Sequence, residues 1–89
     1  MDTELVERVR KVIAKQMRIP VENVTIDSTF EQLGMDSLDG VNLLFEVEEE
    51  FDISIDDEES RSIKSVREMV KGIEILLARK SANPQAAQQ

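Results

Sequence analysis

The run Leu33-Gly34-Met35-Asp36-Ser37-Leu38-Asp39 sets one serine where a glycine-broken loop gives way to an amphipathic helix. Asp36 has the side chain and position of a helix cap, so Ser37 falls in the first turn with its hydroxyl open to water. Eleven acids and no Lys or Arg lie from Asp36 to Glu59. Such a serine cannot act as a nucleophile by itself. It needs a base to take its proton, and the chain has no histidine. Lys11, Lys15, Lys64, Lys71 and Lys80 fall on helices or near the tail, with no sign of a buried base. No catalytic residue is expected. Position alone leaves two readings: an attachment point that another enzyme must activate, or a serine that merely fills the turn beside its cap.

The composition narrows the classes further. At 89 residues the chain makes one small domain with a modest core and no deep enzyme cleft. It has no cysteine, which removes disulfides and thiolate metal or redox sites. Tyr and Trp are absent, and the net charge is −8. Base stacking and phosphate binding are therefore both disfavoured, and no nucleic-acid partner is expected. Basic protein surfaces are the natural partners. No run reaches the ~18–20 apolar residues of a membrane span, and the N-terminus lacks signal- or transit-peptide patterns. The expectation is a soluble, monomeric, cytoplasmic chain, either made in the cytosol or already processed.

The elements that must position Ser37 follow from periodicity. Leu5, Val6, Val9, Val12, Ile13 and Met17 recur at helical spacing and predict a helix over Thr3–Met17. Pro20, Asn23, Thr25, Asp27 and Ser28 favour turns, so residues 19–35 form a long loop, which Val24, Ile26, Phe30 and Leu33 can pin to the core. A helical turn is expected near Phe30–Leu33. The second helix runs from Ser37 to Phe51. A short third helix spans Asp57 to Ser62, and a fourth starts after Ser65, each opened by a capping-box spacing. Residues 1–80 form the domain, and Ser81–Gln89, with Pro84 and no periodicity, read as a disordered tail. The fold class is all-α: a small four-helix bundle of three longer helices and one short one, with a long ordered first loop.

The second helix carries more apolar residues than one buried face needs. At about 100° per residue, Leu43, Leu44, Val47 and Phe51 share one side. Leu38, Val41 and Phe45 form a second strip near Ser37, framed by Asp39, Asn42, Glu46, Glu49 and Glu50. That strip is expected to stay partly exposed as a protein-binding face; otherwise a small bundle would simply wrap it into the core. Asp52, Asp56, Asp57, Glu58 and Glu59 lack the glycine and the spacing of a calcium loop, so no metal site is expected.

These features together resemble the acyl carrier protein family. The resemblance rests on Leu33–Asp39, the loop segments Val24-Thr25-Ile26 and Ser28-Thr29-Phe30, Glu48-Glu49-Glu50-Phe51-Asp52 and Asp57-Glu58-Glu59, and it covers about Glu4 to Leu77. It implies that a phosphopantetheinyl transferase attaches 4′-phosphopantetheine from coenzyme A to Ser37. The arm's thiol then holds acyl groups as thioesters, which gives a cysteine-free chain its sulfur. It further implies that Asp36, Leu38 and Asp39 flank the attachment site. Leu38, Val41, Phe45, Glu46 and Glu49 would meet acyl-loading and acyl-processing enzymes through their basic docking patches. Phe30, Leu44, Val47, Ile55, Ile63 and Met69 would line a pocket for the acyl chain.

Several positions depart from the family's housekeeping fatty-acid carriers. Gly40 replaces a Thr or β-branched residue, Asn42 an acid, Asp56 a Pro and Ser60 an Ala. Arg61 and Arg67 make the region between the third and fourth helices less acidic. These departures bear on the pathway, leaving fatty-acid, lipid and polyketide biosynthesis open. An aminoacyl or D-alanyl carrier is an alternative, as is an unmodified acidic adaptor for basic partners.

Overall fold

The computed structural model describes residues 3–82. Helix α1 spans Thr3–Met17, α2 Ser37–Phe51, α3 Asp57–Ser62 and α4 Val66–Ala82, with a single 3-10 turn at Val21–Asn23. Among the described residues the only β pairing is an isolated bridge between Thr29 and Ser65. The architecture is the expected all-α bundle. One boundary differs: Ser81 and Ala82 continue α4, where a tail was expected. The rest of that expected tail lies outside the described residues.

α1 buries Leu5, Val9, Ile13 and Ala14 along one stripe and packs against both α2 and α4. Leu43, Val47 and Phe51 meet it from α2, and Val66, Met69, Val70 and Ile73 complete the core from α4. No described polar or charged residue is buried with them. Each fully enclosed aliphatic side chain contributes about 1.5–3 kcal/mol, so burial of this one cluster is the main force closing the bundle. At its edge, the Arg8 guanidinium lies 4.5 Å from the Phe51 ring centroid and pairs with Glu50 at 3.0 Å.

α1 stops through backbone geometry. The Ile19 N–H donates to the Ala14 carbonyl at 3.0 Å and the Arg18 N–H to Lys15 at 3.3 Å. This pattern puts Arg18 in the left-handed region at φ 58°. Pro20 then prevents the helix from resuming.

Hydrogen bonds fix the long loop at both ends. The Arg10 guanidinium donates to the carbonyls of Val21 and Val24 while pairing with Glu7. At the far end, loop carbonyls satisfy amides that the start of α4 leaves open: Val66 donates to Ser28 and Arg67 to Ile26, each at 3.0 Å. The Arg67 side chain pairs with Asp27. Val24 is buried, and Ile26, Phe30 and Leu33 are half-buried against the core, as the pinning argument requires.

α2 ends at Asp52, also left-handed at φ 54°, where Lys80 reaches its carboxylate at 2.7 Å. A hydrogen bond from that ammonium, and then its charge, hold the Asp52 carboxyl below its ordinary value. A carboxyl depressed on folding favours the folded state above its unfolded pKa. It loses that contribution as pH falls through the folded pKa. Asp52 is solvated, so the contribution is small.

Arg18 holds a conformation that favours glycine. Arg18→Gly is expected to raise stability by about 0.5–1 kcal/mol in urea denaturation, because relief of the left-handed strain exceeds glycine's extra unfolded entropy. An unchanged or lower midpoint would contradict this account of the α1 terminus.

Candidate functional site

The start of α2 is assembled by two consecutive reciprocal caps. Thr29 Oγ1 accepts the Gln32 N–H at 3.1 Å, and Gln32 Oε1 accepts the Thr29 N–H at 3.0 Å. This capping box opens one helical turn, closed by the Leu33 N–H on Thr29 and the Met35 N–H on Phe30. Gly34 ends the turn at φ 78°, where a side chain would be strained. The chain then enters the second cap. Asp36 Oδ1 accepts the Asp39 N–H at 2.8 Å, and Asp39 Oδ2 accepts the Asp36 N–H at 3.4 Å. The sequence gives Asp36 as a cap; the return bond from Asp39 and the Thr29-x-x-Gln32 box are additional, and the latter was readable from its spacing.

Ser37 is therefore the first residue of a 15-residue helix, exposed to solvent. No described residue hydrogen-bonds its hydroxyl. It lines a cavity of about 420 Å³ between α2, α3, α4 and the loop. Residues 40, 41 and 44 follow it around one helix face at i+3, i+4 and i+7, and all three line the same cavity. Phe30, Ile63 and Met69 form apolar wall, with Met35 and Leu43, while Ser60 and Arg61 bring polar groups from α3.

Of the six residues expected to line an acyl pocket, Phe30, Leu44, Ile63 and Met69 meet here, and two do not. Val47 is fully buried in the core and does not reach the cavity lining. Ile55 lines a separate groove of about 310 Å³ between α3 and α4. The i+3/i+4 spacing from Ser37 was the signal that would have picked Gly40 and Val41 instead. Nothing in the spacing indicated Ser60 or Arg61, because their approach depends on how α3 packs.

The second apolar strip is open. Leu38 is 68% exposed, Phe45 60% and Val41 46%, and Asn42, Glu46 and Glu49 beside them are also exposed. Among the described residues no group of three or more metal-ligating side chains is placed to hold an ion. No helix there is long and apolar enough to cross a membrane.

Comparison with known proteins bears directly on this arrangement. Residues 7–73 match the family described as phosphopantetheine attachment site. An acyl carrier protein of Akkermansia muciniphila is 43% identical over 74 residues, covering 82% of this chain and 92% of that protein. The chain belongs to the acyl carrier protein family. The crystal structure of an acyl carrier protein from Thermotoga maritima superposes with a TM-score of 0.74 at 29% identity, over 85% of this chain and 89% of that one. As a family member, the chain carries acyl groups on covalently bound 4′-phosphopantetheine, usually in fatty-acid, lipid or polyketide biosynthesis. Acyl carrier proteins are carriers rather than catalysts, and they interact with a phosphopantetheinyl transferase and acyl-processing enzymes.

Gly40 sits in this helix with nothing within 4 Å of where a Cβ would lie. Gly40→Ala should therefore stabilise the carrier by about 0.5–1 kcal/mol, the difference in helix propensity, measured by thermal or urea unfolding. Destabilisation would mean that the space beside Gly40 is needed for packing.

Proposed function

We propose that Ser37 is the residue that bears the arm, and that the exposed strip of α2 is the face that partner enzymes grip. The observation that carries this is the coincidence of three features at one atom. The Ser37 hydroxyl is solvent-exposed, sits on a doubly capped helix start, and opens onto an apolar-walled cavity.

The residues present suit the group. A transferase must reach the hydroxyl, and among the described residues Ser37 is exposed. The positive end of the α2 dipole lies at Ser37 and favours a phosphate there. When bound, the group supplies the thiol that holds acyl cargo and that a chain without cysteine lacks. Asp36 and Asp39 keep the serine in one orientation through their mutual hydrogen bonds, so the transferase meets a preformed helix tip. Phe30, Leu44, Ile63 and Met69 give the cavity beside it an apolar wall.

Leu38, Val41 and Phe45 offer apolar contact, and Glu46 and Glu49 provide charge for basic docking patches. Exposed charge pairs are individually worth ~0–1 kcal/mol, and they mainly speed encounter. Contacts of this kind are brief and salt-sensitive, which suits a shuttle that must leave each enzyme. A net charge of −8 also makes copies repel one another and favours a monomer.

Intact-mass spectrometry after incubation with coenzyme A and a phosphopantetheinyl transferase tests the attachment residue. Wild type should gain one arm and Ser37→Ala none; a modified Ala variant would move the site elsewhere. For the docking face, Phe45→Ala should leave stability within about 0.5 kcal/mol. It should lower kcat/KM of a partner acyltransferase by roughly 5–30-fold, as for an interface anchor. Equal rates for both proteins would remove the strip from the docking surface.

A further inference from the structure

Arg61 is the only Lys or Arg between Arg18 and Lys64, a stretch that holds fourteen acids. Its place in α3 offers two ready partners, Asp57 at i−4 and Glu58 at i−3, the spacing at which helical ion pairs form. It uses neither. Arg61 takes part in none of the ion pairs among the described residues. Instead it lines the cavity that Ser37 opens onto, with Ser60 beside it. The Ser60 hydroxyl is already committed to the Asp57 carbonyl at 2.8 Å. The guanidinium is thus the one cationic group on an otherwise apolar and hydroxyl lining.

Resting on the assignment of the arm to Ser37, we propose that Arg61 is the anion-pairing residue of the carrier site. Its guanidinium pairs with an anionic oxygen group brought to the cavity on the arm. Two sources share that chemistry: the phosphodiester at Ser37 and a carboxylate on the acyl cargo. Several physical arguments favour such a pairing. The arm adds negative charge to a chain at −8, and Arg61 is the only cation on the cavity wall to offset it. A guanidinium offers a planar fork that matches phosphate and carboxylate oxygens, and it is less strongly hydrated than an ammonium. Arg61 is then a specificity-determining residue: it tolerates a neutral cargo and favours one that ends in a carboxylate.

The test follows the Arg61 side-chain Nε–Hε NMR signal, assigned by its loss in Arg61→Gln. Four forms are compared: unmodified, bearing the bare arm, bearing a butanoyl group, and bearing a glutaryl group. Intact mass verifies each form before the signal is read. A shift on adding the bare arm, reduced by added salt, supports pairing with the phosphodiester. A shift confined to the glutaryl form supports pairing with a cargo carboxylate. A signal that stays put in all four forms, or moves equally for butanoyl and glutaryl and not for the bare arm, overturns the proposal. If mass instead shows no arm on wild type, or an arm on Ser37→Ala, the underlying assignment fails and this inference falls with it. Because Arg61 is exposed, the Gln variant should fold normally. In it, the shift of the Ile63 methyl signals on glutaryl loading should fall toward the butanoyl value.

Discussion

Under the proposed assignment of the arm to Ser37, that residue has to be held still and left uncovered, and in so small a domain these demands conflict. Side chains are usually immobilised by burial, which would hide the hydroxyl. Here hydrogen bonds from backbone amides to side-chain oxygens do the work instead. Thr29 and Gln32 cap one turn, Gly34 ends it, and Asp36 and Asp39 cap the next. None of these bonds covers Ser37. The turn itself is steadied from behind, since the loop is held by Arg10 on one side and by the first amides of α4 on the other. Both anchors engage residues of the core itself, Val24 at one end and Val66 at the other, so the loop's position is tied to the packing of the bundle.

α2 then serves three surfaces at once, which explains its excess of apolar residues. Leu43, Val47 and Phe51 bind it to the rest of the bundle. Leu44, with Gly40, faces the cavity. Leu38 and Phe45 face water, at a cost in exposed apolar area that burial elsewhere has to offset. Val41 sits on the border, partly exposed and also part of the cavity lining. A single residue at the junction links the exposed strip to the space beside the serine, so under the proposed docking mode a partner that grips Val41 also touches the cavity wall. Acids and Asn42 fill the positions beside the exposed strip.

The helices were readable because period and punctuation agree. Leu5, Val9 and Ile13 repeat at helical spacing before Pro20, and Asp36 precedes a second periodic run. The bounds of α1, α2 and α3 accordingly follow from local residues alone. The cavity was only partly readable. Gly40, Val41 and Leu44 lie at fixed angles from Ser37 on one rigid helix, so their placement needed only arithmetic. Val47 was drawn into the pocket by family likeness, although its register with Leu43 and Phe51 assigns it to the core. Ser60 and Arg61 come from a six-residue helix whose orientation is set by tertiary packing, and no local pattern encodes that. The left-handed Arg18 was equally hidden, since nothing in its side chain favours that conformation.

The charge pattern ties these observations together. A surface with eleven acids in 24 residues attracts basic enzymes over about a Debye length of ~8 Å, and it also opposes a phosphate placed in its midst. Two features counter that opposition at the proposed attachment point, Ser37. The helix dipole of α2 presents its positive end, and Arg61 is the one side-chain cation on the cavity wall. Removing the acids would relieve the phosphate but weaken steering; adding bases near Ser37 would help the phosphate but repel the basic patches of the proposed partners. One arginine on α3, reaching the cavity wall from across α2, meets the local need and adds no base to the exposed face of α2, which carries none of its own.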